Sequence, residues 1–579
     1  MAEHPAPGVR ACGAAAAASL VLALGLCASV AQDPAGRLLG HPGNDVWNHA
    51  WGYGWVAGSL AQGALPLATR DLAWPAGGSL YFIDLAQATA LAPLTWLAGP
   101  AVSYNLAMVL GLALSAFGAW LLAATVTGDA AASAVARVIY GASPHLLGQA
   151  YNGISETVCA GWFPLVLWAL IRQLDQPSAG RALALGGLAT ACATTSWYYG
   201  LFAALAGGLI VVEQALRPGG WARLRRAGPG LLGAAALAAA LVLPWLRAFR
   251  GSLDAPDALV RRDPAFVEAS LLRHNLTDVL AMFRPGTTPS PDLHALFGED
   301  LVIVVYLGWV GLLLAARAVL RGPWPERRVW LGVAGVFFLF SLGPYLIVDG
   351  APLLVGGRKI PLPFLPLFDA LPLFSRVSHP FRFVVGVSLA LAVLAARGLV
   401  GAPRGLPAAL AGLALVEVGL CSPATLPIPS ADAAIPAASR ALARDPVPGA
   451  VLDLPITLPN LERAVYLWYQ TAHHRPVPWG LNEPVPAYFL ENRLLVTLMR
   501  LEATRAHTPP DAAPALDLVL GARELRRLGL RAVVVHPALY PPWKLDQVVS
   551  VLDGVFGAPE AAGSNEPRVY LLDPLEALH

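Results

Sequence analysis

The sequence predicts an α-helical polytopic membrane protein of about 11 transmembrane helices, followed by a small extracytoplasmic α/β domain. Three observations predict it. Of 579 residues, 56% are hydrophobic and only 13% are charged, about half the charge of a soluble domain. Long apolar stretches recur through residues 1–424, many of a length that crosses a bilayer. Within residues 425–579 charges return, and short β-type runs replace the long apolar ones.

The first element is the stretch after Arg10, "ACGAAAAASLVLALGLCASVAQ". It has the small-residue ending of a signal peptide. Ala11 to Val30 is nevertheless long enough to span, and many spans follow, so it reads as an uncleaved first helix. Further spans fall near 102–126, 131–148, 152–171, 181–195, 197–215, 229–246, 301–320, 329–348, 380–399 and 405–423. The pieces at 131–148 and 181–195 are short for a bilayer, which implies tilt, half-insertion or misjoined boundaries.

Charge sets the orientation. With the N-terminus cytoplasmic, the inward turns hold Arg172 and Arg181, then Arg217, Arg223, Arg225 and Arg226, then Arg317, Arg321, Arg327 and Arg328, and last Arg397 and Arg404. The short outward hairpins near 149–151 and 196 hold no Lys or Arg. That alternation follows the positive-inside rule. Large outward loops fall near 31–101, 247–299 and 349–379. In the tail, "GAVLDLPI", "RAVVVHP" and "RVYLLDP" read as buried strands, and 512–528 as a helix. Helix parity places this tail outside the cytoplasm.

Some chemistries are excluded. A net charge of +2 argues against a nucleic-acid partner. Cys12, Cys27, Cys159, Cys192 and Cys421 show neither pairing nor metal-ligand spacing. No phosphate-binding loop, dinucleotide fingerprint, HExxH or nucleophile elbow stands in a credible setting.

Ionisable residues at membrane depth mark candidate sites. In "GNDVWNHAWGYGW" a helix puts Trp47, Trp51 and Trp55 on one face, with Asp45 and His49 roughly opposite. This suits a helix lying in the membrane interface, its tryptophans toward headgroups and its ionisable pair toward a cleft. Asp45, with Asn44, Asn48 and His49, suits metal binding or deprotonation of an acceptor hydroxyl; the plain alternative is a helix cap. Glu156, accompanied by His145, Gln149 and Asn152, enters the fourth span without a nearby cation in sequence; the alternative is a solvated turn. Asp84 in "GGSLYFIDLAQ" is a third acid, or an ordinary cap. "FSRVSHPFRF" supplies Arg376, His379 and Arg382, whose guanidinium forks suit phosphate or snorkel to headgroups. Arg261, Arg262 and Asp263 are weaker candidates of the same kind.

This layout resembles the GT-C glycosyltransferase superfamily: an acid in a large first outer loop, a second acid or His at the next outer turn, many spans and an extracytoplasmic α/β tail. "YGASPHLLGQAYNGISETVCAGWFPLVLWAL", "RVSHPFRFVVGVSLALAVLAARGL", "VLDLPI" and "YLWYQTAHHRPVPWG" look like the bacterial RgtA/B/C/D-like and YfhO-type group. The resemblance implies an integral-membrane enzyme that moves a sugar from a polyprenyl-phosphate-linked donor to a cell-envelope glycan, lipid or protein acceptor. The reaction would run on the outer face of a bacterial plasma (inner) membrane. It implies Asp45 as the catalytic or metal-linked carboxylate and Glu156 as the second acid. Arg382, with His379 and Arg376, would hold the carrier phosphate. His49, Asp84, His145 and Gln149 would line the substrate site. The resemblance fixes no cofactor and leaves metal dependence open; a divalent Mg or Mn ion, if used, would fall to Asp45 and Glu156. Many members carry adjacent acids in the first loop, whereas Asn44 and Val46 flank Asp45 here, which leaves a metal-independent mechanism or an inactive homologue open.

Two other classes compete. A transporter or flippase predicts ionisable residues in mid-helix, but the central spans are almost free of them, Arg137 being the clearest exception. A non-catalytic envelope assembly factor predicts that Asp45 and Glu156 are dispensable. The orientation is directly testable: alkaline phosphatase fused after His579 should be active on whole cells, and a fluorescent protein fused there after Sec export should stay dark. The reverse pattern would invert the topology.

Overall fold

The computed structural model describes residues 7–260, 265, 267–268, 271, 277–286, 301–371, 374–403, 405–481, 485–504, 515–559 and 566–572. Arg261, Arg262, Asp263 and Arg404 lie outside the described residues.

The helices that position the site are α1 (Val9–Leu26), α2 (Val46–Ala61), α3 (Leu85–Ala98), α4 (Pro100–Thr127), α5 (Ala134–Gly141), α6 (Pro144–Tyr151), α7 (Ser155–Val158), α8 (Trp162–Asp175), α9 (Ala179–Thr195), α10 (Trp197–Leu216), α11 (Gly220–Asp254), α12 (Trp309–Leu320), α13 (Arg327–Ser341), α14 (Val384–Gly398) and α15 (Leu406–Cys421). Each of the ranges read as a span contains helix. Among the described residues, 6 helical segments are long and apolar enough to cross a membrane: α1, α4, Ser155–Asp175, α10, α11 and Pro380–Gly398. The others are shorter, for local reasons.

The range 131–148 divides into α5 and α6 at Ser143-Pro144. Proline lacks an N–H and disfavours a helical residue before it, and the Ser143 side chain accepts the Leu146 N–H to start the new helix. The range 301–320 is helical only from Trp309, because residues 301–308 are extended. Extended backbone among apolar neighbours needs partners for its polar groups. Asn152 supplies two, accepting the Val302 N–H at 2.8 Å and donating to the Val302 carbonyl at 3.0 Å. His145 Nδ1 lies 3.1 Å from the Val304 carbonyl oxygen. Glu417 on α15 then caps α12, accepting the Trp309 N–H at 2.5 Å, the Val310 N–H at 3.0 Å and the Tyr306 hydroxyl at 2.6 Å.

The first loop is anchored on the turn after α6. Gly153 has φ +79°, and a Cβ there would lie 2.7 Å from Val46 Cα, so only glycine lets this turn dock on the start of α2. Tyr104 Oη bridges the carbonyls of Leu39 at 2.7 Å and Gly153 at 2.9 Å.

The tryptophan face of α2 is not an aromatic belt. Trp47, Trp51 and Trp55 are all buried. Trp51 stacks on Trp55, ring centres 5.5 Å apart, and its Nε1 donates to Gln470 Oε1 at 2.9 Å. Gln470 lies on α16 (Val465–His473). Trp51, expected to meet headgroups, thus bonds to chain some 400 residues away, a partner that local periodicity cannot register.

The tail joins the first loop twice. Strand β1 (Arg37–Leu39) pairs antiparallel with β2 (Ser430–Asp432). One apolar core runs through Trp51, Tyr53 and Tyr104 into Leu452, Tyr466 and Trp479. The expected tail strands form as β3 (Ala450–Leu454), β4 (Leu530–Val535) and β5 (Arg568–Leu571), in the order β5-β4-β3, with β4 parallel to β3 and antiparallel to β5.

The arginine-bearing turns meet at one end of the bundle. Arg217 pairs with Glu213 at 2.6 Å and Glu326 at 3.6 Å, and Arg223 with Asp175 at 3.6 Å. Arg317 and Arg321 both donate to the Gly398 carbonyl at 3.0 Å. Arg137, read as a charge in mid-span, lies in the first turn of α5.

Trp51→Ala should lower unfolding free energy by about 3–5 kcal/mol, because it empties the joint between first loop and tail. Thermal unfolding in detergent measures this, and a loss below 1 kcal/mol, roughly that of an average surface change, would contradict the buried joint.

Candidate functional site

Three stretches of chain bring charged side chains into contact. His49 comes from the first full turn of α2. Asp84 is the residue before α3, yet its side chain caps nothing there. Glu156 lies on α7, and Arg382 on the 3-10 turn Pro380–Phe383 that leads into α14.

His49 Nδ1 makes a short hydrogen bond to Asp84 Oδ2. Ser155 Oγ donates to the same oxygen at 2.8 Å and sits 3.3 Å from His49 Nδ1. Gln87 Nε2 donates to Asp84 Oδ1 at 3.3 Å. On its other side, His49 Nε2 stands 3.9 Å from Glu156 Oε2, and Glu156 Oε1 accepts from Arg382 at 3.3 Å. The result is a line of alternating charge, Asp84, His49, Glu156, Arg382, with side-chain exposures of 0%, 7%, 2% and 12%. Arg382 also lies over the Tyr198 ring, 4.9 Å from its centre. Glu156 Oε2 and Arg382 Nε are buried without a hydrogen-bond partner.

The remaining predicted residues are placed as follows. Asp45 is the residue before α2, partly exposed, and its Oδ1 accepts from Asn48 at 2.9 Å. His379 gives its backbone N–H to Tyr198 Oη at 3.2 Å, and its Nδ1 lies 2.8 Å from Ser378 Oγ. His145 faces the Val304 carbonyl, and Gln149 Oε1 accepts from Thr157 at 3.1 Å; both bonds brace the backbone around Glu156. Arg376 is exposed and is not part of the charged line.

Among the described residues, His49, Asp84 and Glu156 form a group able to hold a metal ion, their ligand atoms within 4.8 Å of one another. The expected pair, Asp45 and Glu156, contributes Glu156 to this trio; Asp45 is not one of the three. The donor set of one imidazole nitrogen and two carboxylates fits a divalent cation, and the partnerless Glu156 Oε2 is a ready ligand atom.

Sequence reasoning missed Ser155, Gln87, Tyr198 and Tyr199. Ser155 had one faint signal, its place immediately before Glu156. The tyrosines open α10 in "SWYYG", where aromatic residues read as interface anchors.

Electrostatics make His49 cationic. Burial alone pushes its pKa down, but the Asp84 carboxylate opposes this through charge and hydrogen bond, and Glu156 and Asp45 add to it. The net result is a rise from the usual 6.5 to about 9. A folded pKa above the unfolded one gives stability that is complete below about 6.5 and is lost as pH rises through about 9. Metal-free protein should therefore melt at falling temperature across that window. His49→Gln should flatten the slope; an unchanged slope would remove His49 as its source.

No family model matches the chain, and no curated protein does. Among solved structures, the cryo-EM structure of arabinofuranosyltransferase AftD from mycobacteria aligns with a TM-score of 0.55 at 18% identity, over 99% of this chain and 40% of that one. A mutant of the same enzyme aligns with a TM-score of 0.50 at 20% identity, over 93% and 37%. The apo crystal structure of the Archaeoglobus fulgidus oligosaccharyltransferase gives 0.47 at 13% identity, over 90% and 69%. The chain thus spans about two-fifths of the AftD length. At these identities the likeness concerns fold alone: with its apolar helices, the chain has the multi-pass helical architecture that AftD shares.

Proposed function

We propose that this protein is a membrane glycosyltransferase that moves a sugar from a polyprenyl-phosphate-linked donor to an acceptor hydroxyl of the cell envelope. The observation that carries the proposal is the convergence of first loop, α7 and Arg382 on one buried line of charge, within a fold shared with an arabinofuranosyltransferase. The arginine-rich turns gathered at one end support a cytoplasmic N-terminus in a bacterial inner membrane. The site would then lie on the outer face.

The chemistry follows from the charges. A buried guanidinium with a partnerless Nε suits one oxygen of the donor phosphate. As the bond between the sugar's anomeric carbon and the phosphate oxygen breaks, negative charge grows on the departing phosphate. Arg382 and the His49 cation offset it in a low-dielectric setting. The acceptor oxygen bonds to the anomeric carbon from the opposite side, inverting it, and its proton passes to Asp45. Asp45 suits that role because it is partly exposed to an incoming acceptor, whereas Asp84 and Glu156 are engaged with His49, Ser155 and Arg382. Glu156 holds the two cations at a fixed spacing.

A divalent ion, if bound, would be held by His49, Asp84 and Glu156 and would add positive charge beside the leaving phosphate. Of Mg and Mn, the imidazole ligand favours Mn. Binding requires His49 to lose its proton.

Two measurements test the reading. In purified protein given lipid-linked sugars, Asp45→Asn should cut transfer by about 10²–10⁴-fold, and Glu156→Gln by a comparable factor; wild-type activity in Asp45→Asn would take that carboxylate out of the mechanism. Chelator followed by Mn addition should restore activity if the trio is a metal site. Full activity in chelator would assign the trio to the metal-free role of ion cluster.

A further inference from the structure

Two adjacent tyrosines at the head of α10 contact Arg382 and the residue that follows Glu156. The Arg382 guanidinium lies over the Tyr198 ring, 4.9 Å from its centre, while Tyr198 Oη accepts the His379 backbone N–H at 3.2 Å. The ring therefore supports the guanidinium, and the hydroxyl holds the strand of chain that delivers it. Tyr199 is buried, and its hydroxyl donates to the carbonyl of Thr157, the residue after Glu156. Consecutive residues in the first turn of a helix point in directions about 100° apart, so one dipeptide braces two different walls of the site.

We propose that Tyr198 is a positioning residue for phosphate recognition, holding the guanidinium plane so that its Nε edge faces the donor phosphate. This rests on the glycosyltransferase reading. The physical case is specific. Arg382 makes one bond to Glu156 at 3.3 Å, and a single contact leaves a guanidinium free to swing about it. A second contact through the ring face fixes the plane, and it does so without using any of the five N–H donors. A carboxylate in that place would fix the plane only by occupying the fork that a phosphate needs. The partnerless buried Nε of Arg382 is the donor left over by this arrangement. Tyr199 does the corresponding work for Glu156 by fixing the α7 backbone.

The test uses full-length protein in detergent, with polyprenyl monophosphate as the probe and native mass spectrometry or tryptophan fluorescence as the readout, alongside transfer kinetics. Tyr198→Leu should weaken probe binding about tenfold and raise the donor KM with little change in kcat. Tyr198→Phe keeps the ring and should bind nearly as wild type. Tyr199→Phe should leave probe affinity near wild type and lower kcat, since it loosens Glu156 rather than Arg382. Arg382→Gln is the reference and should abolish specific binding. If Arg382→Gln loses binding while Tyr198→Leu binds as wild type, the positioning role fails and the phosphate site survives. If Arg382→Gln binds as wild type, the phosphate reading fails and takes this inference with it. Equal loss in Tyr198→Phe and Tyr198→Leu would assign the effect to the hydroxyl and overturn the ring's part.

Discussion

Charge neutrality in a buried place governs this structure. Moving an isolated ion out of water costs several kcal/mol even after the surroundings relax, so a buried carboxylate persists only where a cation meets it. Here Asp84, His49, Glu156 and Arg382 satisfy one another in sequence, and no two of them lie on the same helix. The condition can be met only if first loop, α7 and the turn before α14 arrive together. Much of the surrounding architecture enforces that arrival. Tyr104 ties β1 to the turn at Gly153, and Asn152 joins Asn44 at 3.0 Å to the extended segment at Val302.

What the sequence discloses follows the same physics. An acid or arginine at the mouth of an apolar span is conspicuous because so few charges occur there, and this is how Glu156 and Arg382 stand out from sequence alone. His49 and Asp84 are visible for the same reason, but nothing in their neighbourhood tells that they bond to each other rather than to solvent or a helix end. The tail strands are legible from apolar runs between turn residues. The tryptophan face of α2 is not: its period is correct, while its partner, Gln470, is a distant residue with no local signature. The helix read over 301–320 begins at Trp309 because side chains of Asn152 and His145 satisfy the backbone before it, and Glu417, one charge in an otherwise apolar helix, caps it. Hydropathy registers apolar content and cannot see that bonding. Tyr198, Tyr199 and Ser155 carry no periodic or charge signal at all.

The two ends of the helical bundle handle charge differently. At the arginine-bearing end the ion pairs join neighbouring turns, and the arginines also donate to backbone carbonyls. Those pairs hold helix ends in place. At the other end the pairs are drier, and two of their polar atoms have no partner. A fully satisfied network is rigid and inert; one with a spare donor beside a spare acceptor is poised to accept a ligand.

The pairing of residues 37–39 with 430–432 has a consequence for biosynthesis. Synthesis runs from one end of the chain to the other, so β1 and α2 emerge roughly 400 residues ahead of the strand and helix that cover them. In the interval, every intervening hydrophobic segment must be threaded into the lipid while the Trp51 indole waits for its partner. Covering of Trp51 is then a late event in synthesis. A nascent chain halted between Arg382 and Gln470 would hold all four charged partners and still leave Trp51 without its partner.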